Sequence, residues 1–249
     1  MEYKGFFKKV TGNEGERCHY ATRLDTYGKG CIHNCSYCYA RSLLDFRGLW
    51  NPAEPAVADL TKIVKTVNKN LKAGDVVRLG GMTDCFQGCE SKYRITRDTI
   101  RLLNKKGVHY LIVTKSPMVA SYAPIMDKRL AHIQVSITST DAEISRRIEP
   151  GAAYPEKRIE AVESLYSQGF DVAVRLSPFI PEIVDTERIR AIDCDKILVE
   201  FLRINTFIRK WMQGFDFSEY THKAGGYCHL PLEAKKRYID KLAGGGGDY

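Results

Sequence analysis

Cys31, Cys35 and Cys38 stand in the run Tyr27-Gly-Lys-Gly-Cys-Ile-His-Asn-Cys-Ser-Tyr-Cys-Tyr39. Three thiolates at this C-x3-C-x2-C spacing can hold three irons of a [4Fe-4S] cube and leave the fourth iron open. An open iron lets a cluster bind and reduce a small molecule instead of only passing electrons along. The competing chemistry is a zinc knuckle, assembled on paper from the same thiols with His33 and with the upstream Cys18 and His19. Zinc wants four ligands with a second pair at a recognisable spacing. A knuckle also has no use for the flanking Gly28 and Gly30, or for the strand-helix repeat that follows.

That repeat is what must position the thiols. Short β-branched or aromatic runs bounded by Gly, Asp, Pro or Ser predict strands at Arg23 to Tyr27, Asp75 to Gly80, His109 to Thr114, His132 to Thr138, Asp171 to Leu176 and Lys196 to Leu202. Between them, Ala56 to Leu71 keeps Val57, Leu60, Val64 and Val67 at three- and four-residue steps, and Ile95 to Leu103 and Pro155 to Ser167 do likewise. Six β-α units with parallel connections predict an α/β fold, an open or partial (β/α)6 barrel whose site lies at the carboxyl ends of the strands. The cysteine loop follows the first strand and so sits on that rim.

Other rim segments carry polar groups. After the second strand comes Gly80-Gly-Met-Thr-Asp-Cys-Phe-Gln-Gly-Cys-Glu90, where glycines let the backbone approach a ligand closely. After the third comes Thr114-Lys-Ser116, and after the fourth come Ser136, Thr138 and Ser139. A Lys on the rim supplies a point charge suited to a carboxylate, and a hydroxyl at a strand end both donates and accepts. Each has a plainer reading: Gly-Gly is a common turn, a Ser or Thr ending a strand is a frequent helix cap, and Lys115 alone is a solvated lysine.

At 249 residues with 44% hydrophobic residues, the chain can bury one sizeable core. There is no apolar run of about 18 residues, and Met-Glu-Tyr-Lys-Gly has no apolar signal core. The expectation is a soluble, cytoplasmic monomer with no membrane partner. Without a signal peptide, the eight cysteines read as reduced thiols and cluster ligands. The net charge of +8, spread over pairs such as Lys105-Lys106 and Arg146-Arg147, favours a polyanionic partner.

The C-x3-C-x2-C motif with an aromatic before its last cysteine resembles the signature of the radical S-adenosylmethionine (SAM) superfamily. Five ordered segments resemble more closely the spore photoproduct lyase-like group, also called DNA repair photolyase-like. They are Gly30-Cys-x3-Cys-x2-Cys-Tyr-Ala-Arg41, Thr83-Asp-x-Phe-Gln-x-x-Glu90, Thr114-Lys-Ser-Pro117, Glu149-Pro-Gly151 and Pro178-x-Ile-Pro181. The resemblance runs from about Tyr27 to about Asp185 and fades beyond.

It implies a [4Fe-4S] cluster on Cys31, Cys35 and Cys38, with SAM on the open iron. It further implies that Tyr37 lies against the adenine, that the glycine-rich stretch Gly80, Gly81, Thr83 and Asp84 receives the amino group, that Lys115 meets the carboxylate, and that Ser136 or Thr138 contacts ribose or carboxylate. Asp84 and Glu90 bind SAM or substrate, or cap the helix beginning near Tyr93. The implied reaction is reductive cleavage of SAM followed by hydrogen abstraction, with electrons from a flavodoxin- or ferredoxin-type donor. Cys85 and Cys89, then Cys228, are the candidates to return hydrogen to substrate; Cys85-x3-Cys89 with Cys194 or Cys228 could also hold a second cluster, but the positions are scattered and one cluster is preferred. Cys194 reads as a buried core thiol.

The resulting division is an N-terminal extension over 1–20, the partial barrel over 21–203, a helical and loop cap over 204–243 and a flexible tail over 244–249. In the cap, Trp211, Phe215, Phe217, Tyr220 and Tyr227 interleave with Arg203, Arg209, Lys210, His222 and Lys223. That mix can stack bases and contact phosphates, or can form an aromatic cover over the open barrel. The expected function is a radical SAM enzyme acting on a nucleobase or other nucleic-acid-related substrate, DNA or nucleotide. The alternatives are a radical SAM enzyme for a peptide or small molecule, and a zinc-dependent nucleic-acid-binding module without catalysis.

Overall fold

The computed structural model describes residues 1–10 and 20–244. Cys18, His19 and the glycines after Gly244 lie outside the described residues. The chain opens with strand β1 (Phe7–Lys9), which runs antiparallel to β2 (Thr22–Leu24). The residues expected as an extension thus supply an edge strand of the main sheet. After β2 come β3 (Tyr27–Gly28), the cysteine loop, α1 (Tyr39–Leu44), β4 (Ala56–Val57) and α2 (Leu60–Asn70). Then follow β5 (Val76–Leu79), α3 (Glu90–Tyr93), α4 (Ile95–Lys106), β6 (His109–Thr114), α5 (Met118–Ser121) and β7 (Ala131–Ser136). The next elements are α6 (Ala142–Ile148), α7 (Pro155–Ser167), β8 (Asp171–Phe179), α8 (Thr186–Arg190) and β9 (Ile197–Phe201). The cap holds α9 (Thr206–Trp211), the hairpin β10 (His222–Ala224) and β11 (Tyr227–His229), and α10 (Leu232–Leu242).

The main sheet has the order β1-β2-β5-β6-β7-β8-β9, and every pairing from β2 to β9 is parallel. Parallel neighbours in chain order, joined through helices, make the partial (β/α)6 barrel. Strand residues alternate: Val77, Leu79, Tyr110, Ile112, Ile133 and Val135 are buried beneath the helices, whereas Arg78, Leu111, Val113 and Gln134 on the other face are partly exposed. The helices present matching stripes. In α4, Thr96, Thr99, Ile100 and Leu103 are buried, and Gly107 ends the helix with φ 67°.

Two predicted boundaries move. The strand expected from Arg23 to Tyr27 breaks after Leu24, because Asp25 turns away to accept Met82 N–H at 2.8 Å while its own N–H donates to Phe6 at 2.7 Å. Tyr27 and Gly28 then pair with Ala56 and Val57 in a separate ribbon. The helix expected from Ala56 therefore starts at Leu60, capped by the Asp59 carboxylate on Lys62 N–H at 3.0 Å. Backbone bonds between Ile204 and Cys228 hold the cap's hairpin to its first residue, and Arg190 of α8 ties the cap to the barrel by donating to Lys241 O at 3.2 Å. Among the described residues no helix is long and apolar enough to cross a membrane.

Candidate active site

The cysteine loop is pinned by two segments, the loop after β5 and the end of α6 with the turn that follows it. From the loop after β5, Gln87 accepts Ile32 N–H at 2.9 Å. At the end of α6, Ile148 O accepts Ser36 N–H at 2.8 Å. His33 Nδ1 meets Gly151 O at 3.0 Å, and Gly151 N–H donates back to His33 O at 3.2 Å. Glycine is required there by close approach, since a Cβ on residue 151 would sit 1.9 Å from Ile32 O. Gly30 is fixed the same way, its absent Cβ falling 1.9 Å from Asn51 O.

Asp84 joins the three loops. Its carboxylate accepts Phe86 N–H at 2.8 Å, Lys115 N–H at 2.7 Å and the Thr114 hydroxyl at 2.7 Å, and it faces His33 Nε2 at 3.0 Å. Burial pushes this carboxyl up, but His33 and the backbone N–H groups of Lys115 and Phe86 outweigh it and hold it below the ordinary range. Three donors and the facing imidazole thus occupy the carboxylate with protein groups. Both His33 ring nitrogens are likewise engaged, so the zinc arrangement that used His33 would have to break the tie to Asp84 or to Gly151.

Tyr37 is buried with its hydroxyl bonded to Glu149 and 3.0 Å from Thr138 Oγ1. Glu149 forms a fully buried ion pair with Arg158, whose guanidinium also donates to Ser136 O at 3.1 Å and Ala153 O at 2.7 Å. Burial pushes the Glu149 carboxyl up, yet Arg158 and then Lys115 more than reverse this. Lys115 Nζ stands 5.5 Å over the Tyr37 ring and acts electrostatically on Cys35, Cys38 and Glu149. Tyr37, Lys115, Ser136 and Thr138 are therefore gathered at one end of β6 and β7, beside the cysteine loop. Gly80, at φ 76°, and Gly81 form the turn above β5, where Thr83 donates its hydroxyl to Tyr27 O at 2.7 Å.

The three thiols fit a polynuclear cluster. Cys31 and Cys35 lie within electrostatic reach of one another, as do Cys35 and Cys38. Yet among the described residues no three Cys, His, Asp or Glu side chains converge closely enough for one metal ion. Three thiolates carried on one loop supply three corners of a [4Fe-4S] cube. Burial pushes Cys35 up to about 12 and raises Cys31 and Cys38 as well, so the thiolate forms need the positive charge of bound metal.

The remaining cysteines separate. Cys85 is fully buried in the core, its thiol driven up by burial. Cys89 is part-buried and pushed up to about 12 by burial and Glu90, and Cys228 is part-buried on β11. Cys194, expected in the core, lies at its edge and donates to Val172 O at 3.4 Å. Glu90 caps α4 through Thr96 N–H at 3.0 Å and Arg97 N–H at 2.9 Å, while the hydroxyls of Tyr27 and Tyr122 donate to it. In the cap, Phe217 and Tyr220 are buried, which makes them cover for the barrel and not a stacking platform. Sequence reasoning gave no role to Arg158, although a charged residue on the buried stripe of α7, with Ala161, Val162 and Leu165, was a visible signal.

The radical SAM superfamily model matches residues 26–194, and the chain belongs to that superfamily. Membership brings a [4Fe-4S] cluster and SAM as cofactors. In fold, 97% of the chain matches 78% of a spore photoproduct lyase complexed with dinucleoside spore photoproduct, with a TM-score of 0.70 and 16% identity. It also matches anSMEcpe with bound AdoMet and Cp18Cys peptide, over 88% of this chain and 57% of that one, with a TM-score of 0.54 and 11% identity. An uncharacterized protein of Methanocaldococcus jannaschii is 29% identical over 164 residues, which are 64% of this chain and 61% of that protein. The matched stretch thus leaves more than a third of that relative unspanned.

Proposed function

We propose that this chain acts on a nucleobase or nucleic-acid-related substrate, in a repair or modification reaction like that of spore photoproduct lyase. When bound, the cluster and SAM supply a one-electron reductive cleavage whose product abstracts hydrogen from substrate. In this reading Cys31, Cys35 and Cys38 hold the cluster, and the Gly80–Asp84 turn shapes the pocket for the amino group of SAM. Lys115 receives its carboxylate, Ser136 or Thr138 contacts its ribose or carboxylate, and Tyr37 lies against the adenine. Of the cysteines proposed to return hydrogen, Cys89 and Cys228 are the more accessible, whereas Cys85 needs an opening of the core.

The observation that carries the substrate class is the charge and ring arrangement of segments that follow strand ends. Arg41 lies 4.1 Å over Trp211, Arg147 lies 4.8 Å over Phe215, and Arg203 lies 5.6 Å over Tyr227. Guanidinium planes beside aromatic rings suit a ligand that is both anionic and planar. A flavodoxin- or ferredoxin-type protein is the proposed electron source.

The test has two arms. Anaerobic protein loaded with iron and sulfide should be brown, bleach with dithionite and release 5′-deoxyadenosine from SAM; colourless protein holding zinc would end the enzyme reading. Binding to a single-stranded oligonucleotide should weaken steeply with salt, because each neutralised phosphate releases counterions. The combined change Arg147→Ala, Arg203→Ala and Arg209→Ala should flatten that slope. No salt-sensitive binding would favour the second reading, a peptide or small-molecule substrate, which the likeness to anSMEcpe supports.

A further inference from the structure

Gln87 has no part in the assignment above, yet it is fully buried in the turn after β5. Its Oε1 accepts the N–H of Ile32, the residue next to Cys31, at 2.9 Å. Only an oxygen can accept from that N–H, so the orientation of the amide is determined. Nε2 is then left on the opposite side, buried and without a hydrogen-bond partner among the described residues. A buried amide donor with no acceptor is costly and calls for a partner that protein atoms do not supply.

Other contacts bring the same turn against Cys31. Asp84, three residues before Gln87, acts electrostatically on Cys31; Gln87 N–H closes the turn on Asp84 O at 3.4 Å, and a Cβ on the next residue, Gly88, would stand 3.7 Å from the Ile32 side chain. Neighbouring polar groups are already engaged: Ile32 N–H donates to Gln87, and the two His33 ring nitrogens face Gly151 O and the Asp84 carboxylate.

We propose that Gln87 Nε2–H donates to sulfur at the Cys31 corner of the [4Fe-4S] cluster, as a positioning and potential-tuning residue. The inference rests on the cluster being held by Cys31, Cys35 and Cys38. Reduction adds negative charge to the cluster. A donor aimed at its sulfur stabilises that form and raises the midpoint potential. The same amide, through Oε1, orients the backbone that follows Cys31.

The test uses cluster-loaded protein. Wild type made by cell-free synthesis with amide-15N glutamine should show a weak 15N coupling to the reduced cluster in pulsed electron paramagnetic resonance, and Gln87→Leu should lose it. Potentiometric titration should find a lower midpoint in both Gln87→Glu and Gln87→Leu at unchanged iron and sulfide content. A wild-type cluster with no 15N coupling overturns the proposal, as does a midpoint that falls only in the Glu variant, which would report added charge. Should Gln87→Leu fail to load, the wild-type coupling and its loss in Gln87→Glu decide. Failure of the underlying site reading is separate: Cys35→Ala would then retain its full iron content.

Discussion

Arg158→Met should be the most costly single change near the site that touches no proposed cofactor contact. Arg158 is fully buried on α7 and pairs with Glu149, which is equally inaccessible. Met keeps an unbranched stem of similar reach, so what is lost is charge and the hydrogen bonds to Glu149, Ser136 O, Ala153 O and the Ser145 hydroxyl. Breaking a buried pair by removing one partner costs about 3–5 kcal/mol. The sign of the pH dependence follows from Glu149. In the wild type its folded pKa lies below the unfolded value, so its contribution is present above the ordinary carboxylate range and is lost as pH falls through the folded pKa. Without Arg158, burial dominates and the folded pKa rises above the unfolded value, so the variant is penalised increasingly as pH rises. The deficit should therefore widen as pH rises from about 2, where the wild-type Glu149 begins to ionise, through the ordinary carboxylate range, by roughly 1.4 kcal/mol for each unit of pKa difference. Urea unfolding of the wild type, Arg158→Met, Glu149→Gln and the double variant measures it, and the cycle should show the double variant losing less than the sum. A loss under about 1 kcal/mol, a flat pH response or strict additivity would refute the reasoning.

Three further outcomes follow from the same geometry. Cys35→Ala should abolish cluster-dependent 5′-deoxyadenosine formation, since a cube held by two thiolates is lost or incomplete; normal SAM cleavage would place the cluster elsewhere. Lys115→Ala should weaken SAM binding by roughly 1.5–3 kcal/mol, the worth of a charged hydrogen bond, while iron content holds; unchanged affinity by calorimetry would remove Lys115 from the site. Gly151→Ala should lower cluster retention, because its Cβ would fall 1.9 Å from Ile32 O and must push the Glu149–Gly151 turn off the cysteine loop. Wild-type iron content in that variant would show that the contact between the loops is dispensable.

The parts of this molecule legible in its sequence are those encoded by near neighbours. The cysteine spacing is local, and so are the alternating strands and the stripes of α4 and α7, which is why the order of units and the rim position of the loop could be read directly. The boundary at Ala56 could not. Ala56 and Val57 continue the apolar spacing of α2, and only pairing with Tyr27 and Gly28, far back in the chain, draws them into a strand. The same holds for Asp84. From sequence it is one acid in a glycine-rich loop, a candidate for ligand or cap; its actual partners come from the cysteine loop and from the end of β6, which no local pattern connects. The cap was ambiguous for a related reason: Phe217 and Tyr220 have the composition of a stacking surface, and only their burial assigns them to the core.

How the polar groups are matched distinguishes scaffold from site. Asp84 with His33 and Glu149 with Arg158 are buried and satisfy one another, and the buried Glu90 is filled by Tyr27, Tyr122 and the first turn of α4, so their work is to hold the loops in register without help from a ligand. Three groups around the cysteines are different. Gln87 Nε2 is a buried donor and Asn34 Oδ1 a buried acceptor, each without a hydrogen-bond partner, and Lys115 Nζ has no ion pair among the described residues. Asn34 lies between Cys31 and Cys35 at φ 45°, a left-handed conformation that Asn tolerates better than most residues. A donor, an acceptor and a cation left over at one rim, beside three thiols raised by burial, match a site completed by a metal cluster and a zwitterionic ligand. A mature scaffold with deliberately unmatched edges is also why mutations should separate: changes at Glu149 or Arg158 act on folding stability, and changes at Lys115 or Gln87 act on affinity or potential with the fold intact.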